Sequence, residues 1–132
     1  KKINKTFVLL SDGELNEGSN WEALLFASHH KLNNLIIIID YNKIQSLDFV
    51  NKTLKLEPLK DKFASFGCKV KSINGHDFKQ ISKSLKIKTN KPLVILANTI
   101  KGKGIKFMEN KILWHYKPPN KEEMEKGLKQ IK

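Results

Sequence analysis

Two polar positions, each placed just after an apolar run, are the strongest indication of chemistry in this sequence. Asp12 and Gly13 follow the apolar run at residues 7–10, and Asn42 follows a second run at 35–39. Such runs are typical of buried parallel strands, which place ligand-binding residues at their carboxyl ends. A carboxylate and an amide oxygen suit Mg²⁺, which keeps coordination positions open for phosphate oxygens. For these two residues alone, a helix-capping aspartate and a turn asparagine are the simpler interpretation.

The elements that would position these residues alternate along the chain. Apolar spacing and turn residues predict four strands and four helices. The strands are expected at 7–10, 35–39, 68–73 and 92–97, and the helices at 20–32, between Pro58 and Gly67, after Asp77 and after Asn120. Residues 43–56 are expected to form an irregular loop over the edge of the sheet. Alternating strands and helices predict an α/β fold with a doubly wound parallel sheet.

Length and composition set the limits of this interpretation. A chain of 132 residues can bury one modest core, so we expect a single domain over residues 1–132. No apolar run is long enough to span a membrane, and the first residues do not resemble a secretory signal. The single cysteine, Cys68, allows no internal disulfide, which favours a reducing cytoplasm.

The net charge of +12 raises the question of nucleic-acid binding. All 25 basic residues are lysine, and arginine, the usual bidentate reader of phosphate and guanine, is absent. The lysines are spread along the whole chain and do not form one basic stripe with interleaved aromatic residues. We therefore expect a solvated lysine-rich surface and no nucleic-acid partner.

The residues around Asp12 and Asn42 resemble the Gly-Asp-Gly…Asn thiamine diphosphate motif in its transketolase form. The segment 11–23 carries the first part, with Ser11 at the position of the first glycine, and 40–44 carries the second part. The interval of thirty residues from Asp12 to Asn42 matches that family. Further segments agree with it in the same order: 56–59, 75–77, 98–104 and 114–115. The resemblance implies the thiamine diphosphate-binding fold, with this chain as the latter, incomplete part of the domain.

The resemblance also implies an activity and partners. Transketolases transfer a two-carbon ketol unit from a ketose phosphate to an aldose, with thiamine diphosphate and Mg²⁺ as cofactors. The implied partner is a pyrimidine-binding domain or a C-terminal transketolase subunit, in a dimeric assembly. The glutamate that activates the cofactor is expected from that partner, so this chain should be inactive alone. The alternatives are a deoxyxylulose-phosphate synthase type of enzyme and a truncated, non-catalytic subunit.

The resemblance implies roles for individual residues. Asp12 would bind Mg²⁺ through its carboxylate, Asn42 through its side-chain oxygen and Ile44 through its backbone carbonyl. Gly13 would let the backbone approach the diphosphate, with its N–H donating to a phosphate oxygen. The last expected cofactor-binding residue is His115, which would also lie close to the reacting centre, where an imidazole can assist proton transfer.

The remaining candidates are charged. Glu17 is implied to join a hydrogen-bonded relay between two cofactor sites near a dimer interface. Glu22 fits either that relay or a favourable charge early in a helix. Lys101 and Lys103 could neutralise phosphate, but the Lys-Gly-Lys-Gly loop lacks the spacing of a Walker-type cradle, so we expect a structural role for it.

Overall fold

Four parallel strands form one sheet in the computed structural model, which describes residues 4–131. The strands are β1 (Thr6–Ser11), β2 (Leu35–Tyr41), β3 (Lys69–Asn74) and β4 (Leu93–Asn98), in the spatial order β1-β2-β4-β3. All three neighbouring pairs are parallel. The four expected strands and the α/β fold class are therefore confirmed. The expected domain limits, residues 1 and 132, lie outside the described residues.

Five helices connect or follow the strands. They are α1 (Gly18–His29), the single turn α2 (Val50–Thr53), α3 (Leu59–Ser65), α4 (Phe78–Leu85) and α5 (Lys121–Gln130). The sequence analysis missed α2 and two short 3-10 helices, Gly13–Asn16 and Ile112–His115. Among residues 4–131, no helix is long and apolar enough to cross a membrane.

The ends of the helices follow local sequence signals. The Asp77 carboxylate accepts two backbone N–H groups at the start of α4, and Asn120 and Glu123 form a reciprocal capping box at the start of α5. After α3, Gly67 has a φ of +83°, a conformation that favours glycine. The caps at Asp77 and Asn120 and the closing glycine were expected from the sequence.

The connections between the strands decide which face of the sheet each helix covers. The chain moves in one direction from β1 through β2 to β3 and then returns to β4. Because parallel crossovers are right-handed, a reversal of direction puts the next helix on the opposite face. Accordingly, Leu24 of α1 and Phe63 of α3 belong to one core cluster, and Ile81 of α4 packs against the other. The sheet is thus doubly wound, as expected.

The register brings the two predicted site segments to one edge. Ser11, at the end of β1, pairs with Asp40 of β2, so the residues after them leave neighbouring strands side by side. Tyr41 of β2 pairs with Asn98 at the end of β4, and the Thr99 N–H donates to the Tyr41 carbonyl at 3.3 Å. Three strand ends therefore meet at this edge.

Candidate functional site

A cavity of about 390 Å³ lies at the carboxyl ends of β1 and β2. Its walls include the six residues that the sequence analysis assigned to cofactor, metal or catalysis, namely Asp12, Gly13, Glu17, Asn42, Ile44 and His115. They come from β1 and its following turn, from the loop after β2 and from the late 3-10 helix. Residues more than 100 positions apart thus converge on one space.

Asp12 is the central carboxylate of the cavity and is only 1 % exposed. Its Oδ2 accepts the backbone N–H of Lys43 at 2.6 Å, which ties the end of β1 to the loop after β2. Burial raises the pKa of Asp12 above its ordinary value, although the Lys43 hydrogen bond opposes the rise and the nearby Asp40 charge adds to it. A cation beside this carboxylate would relieve the electrostatic cost of its burial.

Asn42 lies opposite Asp12 with both ends of its amide in use. Its Oδ1 accepts the Ile44 backbone N–H at 3.1 Å, and its Nδ2 donates to Asp40 Oδ2 at 3.3 Å. The first bond forms a local turn of the kind that asparagine favours. Since an amide oxygen has two lone pairs, Oδ1 can accept this N–H and still bind a cation.

The turn after β1 explains how Ser11 replaces a glycine. The Ser11 backbone N–H donates to Glu14 Oε2 at 2.7 Å, and the Glu14 N–H donates to Ser11 Oγ at 3.3 Å. This reciprocal pair is the Ser-x-x-Glu arrangement of a capping box, a sequence signal that we missed. At Gly13, an added Cβ would meet protein atoms only at ordinary contact distances, the nearest being Gln45 Cγ at 3.6 Å. The protein itself therefore does not require glycine there, which leaves ligand approach as its reason.

His115 reaches the cavity from the irregular segment before α5. The neighbouring Trp114 anchors that segment, because its Nε1 donates to the Phe107 carbonyl at 3.0 Å and its ring contacts the Phe107 ring edge. Lys117 Nζ lies 4.9 Å from the Trp114 ring centre. His115 and Glu17 are both solvent-exposed, so each is accessible to a ligand in the cavity.

The remaining charged candidates divide into those inside and outside the cavity. Lys101 lines the cavity, and its charge acts against the raised pKa of Asp12. Lys103 lies 3.8 Å from Glu109 in an ion pair elsewhere on the loop. Glu22 is exposed on α1 and does not line the cavity. The glycines of this loop have structural reasons, since Gly102 has a φ of +74° and a Cβ there would lie 2.8 Å from the Met108 backbone.

Two further cavity residues, Asp40 and Gln45, were missed as candidates. Asp40 Oδ1 accepts the Thr99 hydroxyl, and Gln45 Oε1 accepts Asn16 Nδ2 at 3.0 Å. Gln45 is only 7 % exposed, and its Nε2 is the one buried side-chain nitrogen or oxygen without a partner in residues 4–131. The position of Asp40, two residues before Asn42, was a usable signal. Nothing in the sequence indicated that Gln45 would be buried.

The chemistry of this donor set fits a hard cation together with a phosphate group. One carboxylate, one amide oxygen and a backbone carbonyl are suitable Mg²⁺ ligands. Within residues 4–131, no group of three or more His, Cys, Asp or Glu side chains could hold a metal ion. A cation here would thus need oxygens from a bound ligand, and the Lys101 charge and the Gly13 approach suit an anionic one.

Comparisons with known proteins agree with this geometry. The family described as "Transketolase, thiamine diphosphate binding domain" matches residues 2–131. One of the two subunits of the apulose-4-phosphate transketolase of Actinobacillus succinogenes is 46% identical over 130 residues, which are 97% of this chain and 47% of that protein. A 6-deoxy-6-sulfo-D-fructose transketolase subunit of a Clostridium species is 43% identical over 115 residues, 85% of this chain and 42% of that protein. The chain therefore spans about half the length of these relatives.

Solved structures extend the agreement to three dimensions. The crystal structure of Campylobacter jejuni transketolase superposes with a TM-score of 0.91 at 37% sequence identity, over 98% of this chain and 21% of that one. The family match covers nearly the whole sequence, and the matched fold is the parallel α/β sheet described above. This chain belongs to the transketolase family, in its thiamine diphosphate-binding domain.

Proposed function

We propose that this chain supplies the diphosphate- and Mg²⁺-binding part of a transketolase-like enzyme, which transfers a two-carbon ketol unit from a ketose phosphate to an aldose. The observation that carries the proposal is the convergence of all six expected site residues on one cavity around the buried carboxylate of Asp12. The family match to a thiamine diphosphate-binding domain supports the choice of cofactor.

In this proposal the cavity residues divide the work of holding the cofactor. Asp12, Asn42 and the Ile44 carbonyl hold Mg²⁺, while the Gly13 N–H and the Lys101 ammonium face the diphosphate oxygens. When bound, thiamine diphosphate supplies the electron sink for breaking the carbon–carbon bond next to the ketose carbonyl. His115 holds or moves a proton at its imidazole beside the diphosphate.

Glu17 has a separate proposed role, in the relay toward a second cofactor site. Glu17 lines the cavity on the side of α1, which starts at the next residue. We assign Glu22 to the solvated surface of α1 in preference to the relay, because it lies outside the cavity. A dimeric assembly, in which two such cavities approach each other, is part of this proposal.

The proposed partner is a protein carrying the pyrimidine-binding domain, such as a C-terminal transketolase subunit. The relatives named as subunits of transketolases support a two-subunit enzyme, as does the chain's coverage of about half of their length. A reducing, cytoplasmic location suits Cys68, whose buried thiol has a raised pKa.

The metal and cofactor assignment is tested by Asp12 variants of the intact assembly. Asp12→Ala should lose more of the Mg²⁺-dependent affinity for thiamine diphosphate than the roughly 10–100-fold typical of an outer-shell partner, because it removes a direct ligand. Asp12→Asn keeps an acceptor for the Lys43 N–H and separates loss of charge from loss of structure. Asp61→Ala, an exposed carboxylate on α3, is the matched control. Unchanged affinity by calorimetry in both Asp12 variants would refute the assignment.

The role of the partner is tested by activity. The purified chain alone should not transfer a ketol unit, and addition of the pyrimidine-binding subunit should restore transfer. Steady turnover of a ketose phosphate and an aldose by the chain alone would contradict the proposed division of labour.

A further inference from the structure

A chain of polar contacts links the end of β4 to the amide of Asn42. The Thr99 hydroxyl donates to Asp40 Oδ1, and Asp40 Oδ2 accepts Asn42 Nδ2 at 3.3 Å. A carboxylate is an acceptor only, so it selects the donating end of an amide. Asp40 therefore decides which end of the Asn42 side chain points away from it, and that end is the oxygen.

Two motifs that the cofactor site does not use hold Thr99 in place. The Thr99 N–H donates to the Tyr41 carbonyl at 3.3 Å, which fixes the Thr99 backbone beside β2. A Cβ at Gly75 would lie 2.4 Å from Thr99 Cγ2, so glycine at position 75 is what leaves room for the threonine. His76 Nε2 accepts the backbone N–H of Ile100 at 2.8 Å, which fixes the residue after Thr99.

We propose that Asp40 is a positioning residue for the metal site, anchored by Thr99, and that it orients Asn42 so that the amide oxygen faces the cation. The inference rests on the proposed function, because it concerns the same Mg²⁺ and diphosphate site. It gives the segments around Gly75 and Thr99 a purpose, since both build the support of Asp40. Asp40 itself contacts neither the substrate nor the reacting atoms in this proposal.

A competing explanation is that Asp40 acts through its charge alone. Asp40 and Asp12 both line the cavity, and a second negative charge would attract a cation from any orientation. The two explanations differ at Thr99. Removing its hydroxyl leaves both charges in place but releases the carboxylate that orients Asn42.

The experiment measures Mg²⁺ affinity by calorimetry at a fixed thiamine diphosphate concentration, on the chain assembled with its pyrimidine-binding subunit. Thr99→Val is nearly isosteric and keeps a methyl group against Gly75, so it removes only the donor. It should weaken Mg²⁺ binding about tenfold, as loss of an outer-shell partner does. Thr99→Ser should restore most of the affinity, and Asp40→Asn should weaken binding at least as much as Thr99→Val.

Thr53→Val is the matched control, because the Thr53 hydroxyl donates to the Phe49 carbonyl in α2, away from the cavity. It should leave Mg²⁺ affinity unchanged. Thermal melting of the cofactor-free assembly reports on folding, and Asp40→Asn carries the test if Thr99→Val does not fold.

Each outcome decides between the explanations. Loss of affinity in Thr99→Val with rescue in Thr99→Ser supports the positioning role. Unchanged affinity in Thr99→Val beside a loss in Asp40→Asn would show an effect of charge only and overturn the inference, as would unchanged affinity in both. If the unmodified assembly binds no thiamine diphosphate with Mg²⁺, the proposed function fails and the inference fails with it.

Discussion

The two faces of the sheet differ in how completely helices cover them. On the face of α1 and α3, the side chains of Leu24, Ile39 and Phe63 are all buried in one cluster. On the face of α4, the helix covers β3 and β4, but the edge strand β1 has no helix over it. Phe7 is 53 % exposed there and Leu9 is 70 % exposed. One face is a finished core, and the other is finished over only half its width.

The unfinished face has the properties of a surface that another protein segment covers. A cavity of about 480 Å³ lies on it, with largely apolar walls that include Leu9, Ile38, Ile81 and Ile95. Exposed apolar surface next to an unpaired strand edge promotes association. The cofactor cavity lies where the finished part of the sheet meets this edge. Stability and partner binding should thus respond to different substitutions, which the following predictions test.

The largest expected difference between the faces is in stability. Phe63 is 1 % exposed, and its ring stacks on Trp21 with a centroid distance of 5.3 Å. Phe63→Ala should reduce the free energy of unfolding by about 3–5 kcal/mol, through lost burial and the cavity left behind. Leu9→Ala should cost less than about 1 kcal/mol because most of that side chain is already in water. Urea denaturation in dilute solution measures both, and equal losses would contradict the comparison.

The second prediction concerns association of the isolated chain. We expect the chain without its partner to self-associate through the Phe7 and Leu9 surface, and Leu9→Lys should reduce this. Leu47→Lys is the matched control, because Leu47 is 80 % exposed in the loop after β2 and the same positive charge is added. Light scattering should show smaller particles only for Leu9→Lys. A monodisperse monomer with a sharp, cooperative melting transition in the unmodified chain would show that the open face needs no cover.

The sequence predicted the strands and the cavity residues for a physical reason. Buried parallel strands need unbroken apolar runs, and parallel pairing then brings the strand ends to one edge, whatever the loops do. Residues 12 and 42 were placed by that rule together with the family resemblance. The burial of Gln45 and the single turn α2 depend on how the loop after β2 folds back over the edge, as in the Ile44–Phe49 bridge. Contacts of that kind leave no periodic signal.

The smallest expected effect concerns a polar pair at the rim of the finished face. The buried Tyr41 donates its hydroxyl to Glu57 Oε1 at 2.6 Å, and the Leu59 N–H donates to Oε2 at 2.8 Å. These bonds, the one from Tyr41 first, lower the pKa of Glu57 below its ordinary value. A carboxyl with a lowered folded-state pKa adds stability above its unfolded pKa, and this stability is lost as the pH falls through the folded value.

Glu57→Gln should therefore destabilise the chain at neutral pH by less than about 1 kcal/mol, since the carboxylate is exposed and screened by water. The difference from the unmodified chain should disappear once the pH is below the folded-state pKa of Glu57. Tyr41→Phe should remove most of the same pH dependence, because it deletes the donor that holds the carboxylate in its charged form. Urea denaturation of the three proteins across the acid range measures this. A gap between the unmodified chain and Glu57→Gln that stays constant with pH would mean that the finished face is closed by apolar packing alone at this rim.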